Sequence, residues 1–277
     1  MDVKDRVVLI TGGAGGIGKA LAARFLTAGA RVVLWDADAA LLEAAARQLS
    51  PLGDVRTYAL DLTDREKVRE TAARVQTEVG PVDVLDNNAG VVFGADFLTC
   101  TEEQLLRTIE VNVNAVMWCT RAFLPGMISR GRGHVVMMAS AAGLLGVPGM
   151  AAYSASKHAV IGLAESIRLE LRKSGARGVG MTIVCPSFVA TGMFEGVRPP
   201  LLAPWLKPDA LAGKIFDAVR HNRLYVREPI MVRIIPALKG IGSQTLLDWI
   251  GDILGMHSAM DRWTGRPGPK ERSGGPR

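Results

Sequence analysis

The chain has 277 residues, 48% of them hydrophobic, with 31 glycines and a formal net charge of +6. That length and apolar fraction support one large α/β domain with a substantial core. Half of the positive excess lies in Gly265 to Arg277, where a Gly/Pro-rich stretch carries four basic residues and one acid. No basic stripe interleaved with aromatics occurs elsewhere, so nucleic-acid binding is excluded.

The N-terminus runs from Met1 to Arg6 straight into apolar residues 7–10, leaving no room for a signal peptide, and Asp2 excludes N-myristoylation. Runs 7–10, 32–35, 57–60, 82–85, 134–138 and 181–184 are apolar and rich in β-branched residues, the pattern of buried strands. Between them, alanine- and leucine-rich stretches 19–28, 37–49, 65–79, 102–130 and 153–174 read as helices, and a late strand is expected at 224–226. Strand and helix taking turns imply right-handed crossovers and a doubly wound parallel sheet covered on both faces. One domain is expected over residues 3–263, with 229–263 as a C-terminal helical extension and 264–277 as a disordered tail. No uninterrupted apolar stretch reaches the roughly 18 residues of a membrane span. Cys100, Cys119 and Cys185 are scattered in apolar surroundings and read as reduced core thiols of a cytoplasmic protein. His134, His158, His221 and His257 show no ligand spacing, so no metal is expected.

The motifs lie at the junctions of these elements. Residues 11–20 read Thr-Gly-Gly-Ala-Gly-Gly-Ile-Gly-Lys-Ala, between the first strand and the first helix. Glycines there let the chain turn tightly and bring backbone N–H groups up to a pyrophosphate, whose charge the helix N-terminus favours. The second strand ends at Asp36, where a carboxylate accepts hydrogen bonds from two ribose hydroxyls and repels a 2′-phosphate. No Arg or Lys lies within 12–18 to neutralise such a phosphate, which favours NAD over NADP. Farther on, Tyr153 and Lys157 are four residues apart, one above the other on a helix. A cation at that spacing favours the phenolate and brings a group of ordinary pKa about 10 toward working pH, making Tyr153 a proton-transfer group. Ser140 follows the apolar run 134–139.

Taken together, these residues resemble the short-chain dehydrogenase/reductase family. Its Thr-Gly-x-x-x-Gly-x-Gly motif is matched at Thr11, Gly12, Gly16 and Gly18, and its Asn-Asn-Ala-Gly motif at Asn87, Asn88, Ala89 and Gly90. Ser140, Tyr153 and Lys157 match its catalytic trio, Asn112 the asparagine that completes the tetrad, and Asp61 the acid beside the adenine ring. The likeness runs to about Val232. One departure occurs at Ser187, where the family usually has glycine after Pro186. The resemblance implies a Rossmann-type sheet and a nicotinamide-dinucleotide site built from the glycine-loop residues, Ile17, Asp36, Asp61, Leu62, Asn88, Ala89, Gly90, Tyr153, Lys157, Pro186, Val189 and Thr191. It further implies that Tyr153 exchanges a proton with the substrate oxygen and that Ser140 hydrogen-bonds the same oxygen. Lys157 would fix the nicotinamide ribose and Asn112 would hold a water. Assembly as a homodimer or homotetramer through helices 102–130 and 153–174 is also implied.

Two apolar segments, 141–150 and the proline-rich 193–206, are expected to line the substrate site, the second as a mobile lid. Leu144, Met150, Met193, Phe194 and Trp205 are the candidate lining residues. Such a pocket implies a lipophilic alcohol or carbonyl rather than a sugar. The layout of the C-terminal extension, Phe123-Leu124-Pro125 and residues 153–171 resembles the retinol and 17β-hydroxysteroid dehydrogenase branch, which implies a secondary or allylic alcohol, or its carbonyl, of retinoid, steroid or fatty-alcohol type. Within 243–254, Leu246, Leu247, Ile250, Ile253 and Leu254 form an apolar stripe opposite Asp248 and Asp252. The acidic polar face favours docking on the protein body or another subunit over a membrane. Two alternatives stand beside the enzyme: a cofactor-binding regulatory or scaffold protein, against which the intact tetrad speaks, and a peripheral membrane enzyme acting on lipid-embedded substrate.

Overall fold

The structure, a computed structural model, describes residues 1–265. The apolar runs form β1 (Val7–Thr11), β2 (Arg31–Asp36), β3 (Val55–Ala59), β4 (Val82–Asn87), β5 (Gly133–Met138), β6 (Val179–Pro186) and β7 (Tyr225–Glu228). They pair in parallel, in the order β3-β2-β1-β4-β5-β6-β7. Helices α1 (Gly16–Thr27), α2 (Ala39–Leu49) and α7 (Pro208–Arg220) cover one face. On the other lie α3 (Arg65–Glu78), α5 (Ala115–Ser129) and α6 (Ala151–Lys173). Because both faces are covered, the central strands are apolar at nearly every position instead of alternating. Leu9, Ile10, Leu34, Trp35, Leu85 and Ile183 have no exposed surface. Each such side chain stabilises the fold by about 1.5–3 kcal/mol relative to an exposed one.

The chain winds outward from β1 to β3 and returns to β4, so the strand order reverses between β1 and β4. In an open parallel sheet, the crevice beyond the strand C-termini at that reversal is where a ligand fits. This reversal positions the site.

One stretch folds differently from expectation. Residues 102–130 are a single helical rod but not a uniform α-helix: α4 (Glu102–Ile109) passes through a π turn, Glu110–Asn114, into α5. The C-terminal extension is helical: α8 (Ile230–Ile241), which carries Pro236 inside it, leads to α9 (Gln244–Ile253). Helical spacing explains the outcome, since it lets Val232 and Ile235 face the core together. Among the described residues, no helix is long and apolar enough to cross a membrane. The expected tail lies outside the described residues from position 266. Thr264 and Gly265 are placed, their N–H groups donating to the Glu195 carbonyl at 2.9 and 3.3 Å.

Candidate active site

Thr11 and Asn88 join the two loops that flank the reversal. The Thr11 hydroxyl donates to the Asp86 carbonyl at 3.2 Å and accepts from the N–H groups of Asn88 and Ala89 at 3.0 and 3.1 Å. In return, Asn88 Nδ2 donates to the carbonyls of Thr11 and Gly12 at 2.8 and 3.1 Å. Gly12 has φ +62, and a Cβ there would fall 2.9 Å from Ala89 Cα. At Gly18 a Cβ would fall 2.5 Å from the Gly12 carbonyl, so α1 packs this closely only with glycine. Thr11 and Gly18 therefore build the frame. The remaining predicted cofactor residues, Gly12, Gly16, Ile17, Asp36, Asp61, Leu62, Asn88, Ala89, Gly90, Tyr153, Lys157, Pro186, Val189 and Thr191, line one cavity of about 290 Å³.

One end of this cavity is acidic. Asp36 Oδ2 accepts from Ala14 N and Oδ1 from Asp38 N, each at 3.2 Å, which fixes the carboxylate at the end of β2. Asp61 lies at the same end with Arg107, a lining residue that sequence reasoning did not single out. Only the contact across the fold, from α4 to the loop after β3, reveals it. Glycine backbone occupies the middle of the cavity and the buried polar cluster the other end. An acid for ribose, N–H groups for phosphate and a proton-handling cluster are the donor set that a nicotinamide dinucleotide requires.

That cluster is tightly enclosed. Ser140, at the end of β5, accepts from Ala142 N at 3.2 Å and is hydrogen-bonded to Tyr153. Lys157 donates to the Met138 carbonyl at 2.8 Å, and its Nζ lies 5.6 Å from the centroid of the Tyr153 ring. Burial pushes the Tyr153 phenol up to about 12, with the Ser140 bond acting in the opposite direction. Burial also draws Lys157 down to about 8. The expected lowering of Tyr153 by Lys157 is therefore absent from the protein by itself: loss of hydration sets the direction of the shift, and Lys157 gives its hydrogen bond to the Met138 carbonyl.

Asn112 sits in the π turn, whose widened backbone turns its side chain inward. Its Nδ2 donates to the Val91 carbonyl and Ser156 Oγ at 2.9 and 3.0 Å, and its Oδ1 accepts from Val91 N at 2.8 Å. Asn112 thus ties the loop after β4 to α6. It does not line the cavity, but a Cβ on Gly90 would touch both its Oδ1 and Lys157 Nζ, at 3.3 and 3.5 Å.

A second cavity, about 270 Å³, adjoins the first. Met150 and Phe194 line it, and Met193 faces the first cavity. Leu144 and Trp205 depart from expectation. Leu144 packs against the core beneath α6, leaving its carbonyl to accept from Lys239, while Trp205 meets Phe188 edge to face with ring centroids 6.0 Å apart. Leu145 and Phe188 take up the lining instead, together with Met231, Ile235 and Leu238 of α8, Leu247 and Ile250 of α9, and Leu254 just beyond it. The apolar stripe of α9 was the sequence signal for that roof. Beyond it, Ala259, Met260 and Trp263 pack with Phe194 over Tyr153.

A doubly wound parallel sheet with a dinucleotide-shaped cavity ending at Ser140, Tyr153 and Lys157 defines a nicotinamide-dependent oxidoreductase. The sequence profile of the short chain dehydrogenases matches residues 6–201, and the chain belongs to that family, whose members act on CH–OH groups. It is 39% identical to epidermal retinol dehydrogenase 2 of Mus musculus over 269 residues, 96% of this chain and 87% of that one. Identity to estradiol 17-beta-dehydrogenase 11 of Rattus norvegicus is 35% over 247 residues, 89% of this chain and 83% of the relative. A short chain dehydrogenase/reductase from Burkholderia phymatum in complex with NAD superimposes with TM-score 0.78 and 29% identity, covering 85% of this chain and 93% of that one. A metagenomic short-chain oxidoreductase in complex with NADP gives 0.70 and 31%, covering 82% and 97%.

Proposed function

We propose that this protein is an NAD-dependent dehydrogenase of lipophilic secondary or allylic alcohols, or a reductase of the matching carbonyls. The observation that carries the reading is the meeting of the two cavities: Ser140, Ser187 and Phe194 line both. A substrate in the apolar cavity thereby has its oxygen beside Ser140 and Tyr153 while its carbon faces the dinucleotide cavity. The names of the retinol and estradiol dehydrogenases support a lipophilic substrate. Asp36, held by two backbone N–H groups at the end of β2, supports NAD over NADP.

The nicotinamide, when bound, accepts or returns the hydride. The chain's own residues handle the proton and the oxygen. Tyr153, neutral in the free protein, donates its Oη proton to a carbonyl oxygen during reduction and is left as the phenolate; in the reverse direction it is that phenolate that takes the alcohol proton. Ser140 hydrogen-bonds the same oxygen and stabilises charge developing there. Lys157, anchored on the Met138 carbonyl, presents the remainder of its ammonium to the ribose. The apolar roof from α8 and α9 excludes water, which strengthens each of these interactions.

Exposed Leu106 and Ile109 on α4 and Leu169 on α6 support a homodimer or homotetramer built on these helices. Three free thiols support a reducing, cytoplasmic setting. The test is Tyr153→Phe, assayed by NADH absorbance over retinoids, steroids and medium-chain secondary alcohols. Turnover is expected to fall by at least a hundredfold with NADH binding retained. Full activity in the variant overturns the reading.

A further inference from the structure

The acid expected beside the adenine ring does not stand alone. Asp61 Oδ2 accepts from Arg107 Nη2 at 2.9 Å, and Arg107 Nη1 donates to Thr63 Oγ1 at 3.0 Å. Thr63 completes the ring, its N–H and hydroxyl donating to Asp61 Oδ1 at 3.0 and 2.8 Å. The guanidinium is thus forked across a carboxylate and a hydroxyl of one turn, a geometry that lysine cannot reproduce. Arg107 comes from α4, whose start is fixed by a capping box between Thr101 and Gln104. The same helical rod brings Val111 to the cavity wall and carries Asn112 behind it.

We propose that Arg107 is a positioning residue for the adenine end of the dinucleotide, acting through Asp61. This rests on the nicotinamide-dinucleotide reading above and adds a residue to it. The Arg107 and Asp61 side chains are 40% and 44% exposed, and ion pairs so open contribute little to folding. Their position counts for more, since both line the cavity. Each carboxylate oxygen has two acceptor directions, so Oδ2 keeps one after binding Arg107. An adenine N6 amine can donate to it, whereas a base with a carbonyl at that atom would meet a carboxylate and be rejected. Burial raises the Asp61 pKa, but its bonds to Thr63 and Arg107 outweigh this and hold it below the usual value, which keeps Asp61 an acceptor. With its fork spent on Asp61 and Thr63, Arg107 is not arranged as a clamp for a 2′-phosphate.

Fluorescence titration of the full chain with NADH, with its hypoxanthine analogue and with reduced nicotinamide mononucleotide tests this. The wild type is expected to bind NADH about tenfold more tightly than the hypoxanthine analogue, the effect of one charge-assisted hydrogen bond. Arg107→Met should bring that ratio near one and leave the mononucleotide affinity unchanged, because the mononucleotide lacks the adenosine half. Arg107→Lys and Thr63→Val should give intermediate ratios, and they carry the test if Arg107→Met does not fold. An unchanged ratio in all three variants overturns the proposal. So does equal weakening of dinucleotide and mononucleotide, which a merely structural role predicts, or a wild type blind to the base. If none of the three ligands binds the wild type, the dinucleotide reading itself fails and the proposal falls with it.

Discussion

Lys157 Nζ lies 5.6 Å from the centroid of the Tyr153 ring, yet its hydrogen bond goes to the Met138 carbonyl, at 2.8 Å. Burial shifts the two groups in opposite senses, Lys157 down to about 8 and Tyr153 up to about 12. As pH rises in the free protein, Lys157 therefore loses its proton before Tyr153 does. These opposite shifts weaken Lys157 as a counter-ion for the phenolate in the free protein. Ultraviolet difference titration against Tyr153→Phe should find this phenol near 12. Lys157→Met should leave it there; a rise of a full unit or more would show that the ammonium persists and supports the phenolate.

Asp36 is held by Ala14 N and Asp38 N, each at 3.2 Å, so its carboxylate cannot easily swing aside for a 2′-phosphate. Asp36→Ala should weaken NADH by about tenfold, the loss of charge-assisted bonds to the ribose, and improve NADPH. Comparative titration with both dinucleotides checks this. A wild type that binds NADPH more tightly would reverse the assigned role of Asp36.

The parts of this fold governed by local pattern were legible in the sequence. The strands buried on both faces left apolar runs, the loop after β1 left its glycines, and Tyr153 and Lys157 left their helical spacing. Arg107 left no such trace, because its meaning depends on a partner 46 residues away. The π turn was equally hidden: nothing in Glu110–Asn114 departs from a helical pattern, and the widening shows only in how Asn112 turns inward. In α8 a β-branched run containing Pro236 is held helical by packing, because that spacing sets Val232 and Ile235 against the core together. Leu144 and Trp205 were assigned to the pocket by neighbourhood in sequence, and their side chains turn elsewhere.

The C-terminal strap closes the active site through Trp263. Its Nε1 donates to the Met193 carbonyl at 3.1 Å, and Arg198 N donates to the Ala259 carbonyl at 3.1 Å. Trp263 packs against the apolar cluster that holds Met260, Phe194 and Tyr153. Trp263→Ala should loosen residues 192–198, raise KM for an apolar substrate about tenfold and leave kcat less affected, as expected from a lost apolar contact of about 1–2 kcal/mol. Faster tryptic cleavage at Arg198 is the independent readout. Gly94→Ala should act in the same direction, because a Cβ there would fall 2.5 Å from the Trp263 ring. Unchanged KM and cleavage in both variants would show that the strap does not hold the lid.

Asp86 is the one fully buried carboxyl on β4, between Ile10 of β1 and Val136 of β5, and neither of its oxygens has a hydrogen-bond partner in the protein. Burial alone pushes it from 3.8 up to about 8, so the folded protein keeps it neutral where the unfolded chain would ionise it. The folded value lies above the unfolded one. The penalty is therefore absent below about pH 4, grows as pH rises, and levels off above pH 8. Within that window it increases by about 1.4 kcal/mol per pH unit at most. Asp86→Val, close in size to its strand neighbours, removes the penalty. Urea unfolding at pH 5 and pH 7 should show the variant gaining on the wild type by as much as about 2–3 kcal/mol between the two. A gain that does not change with pH would mean that Asp86 ionises in the fold, and that water or a cation reaches it.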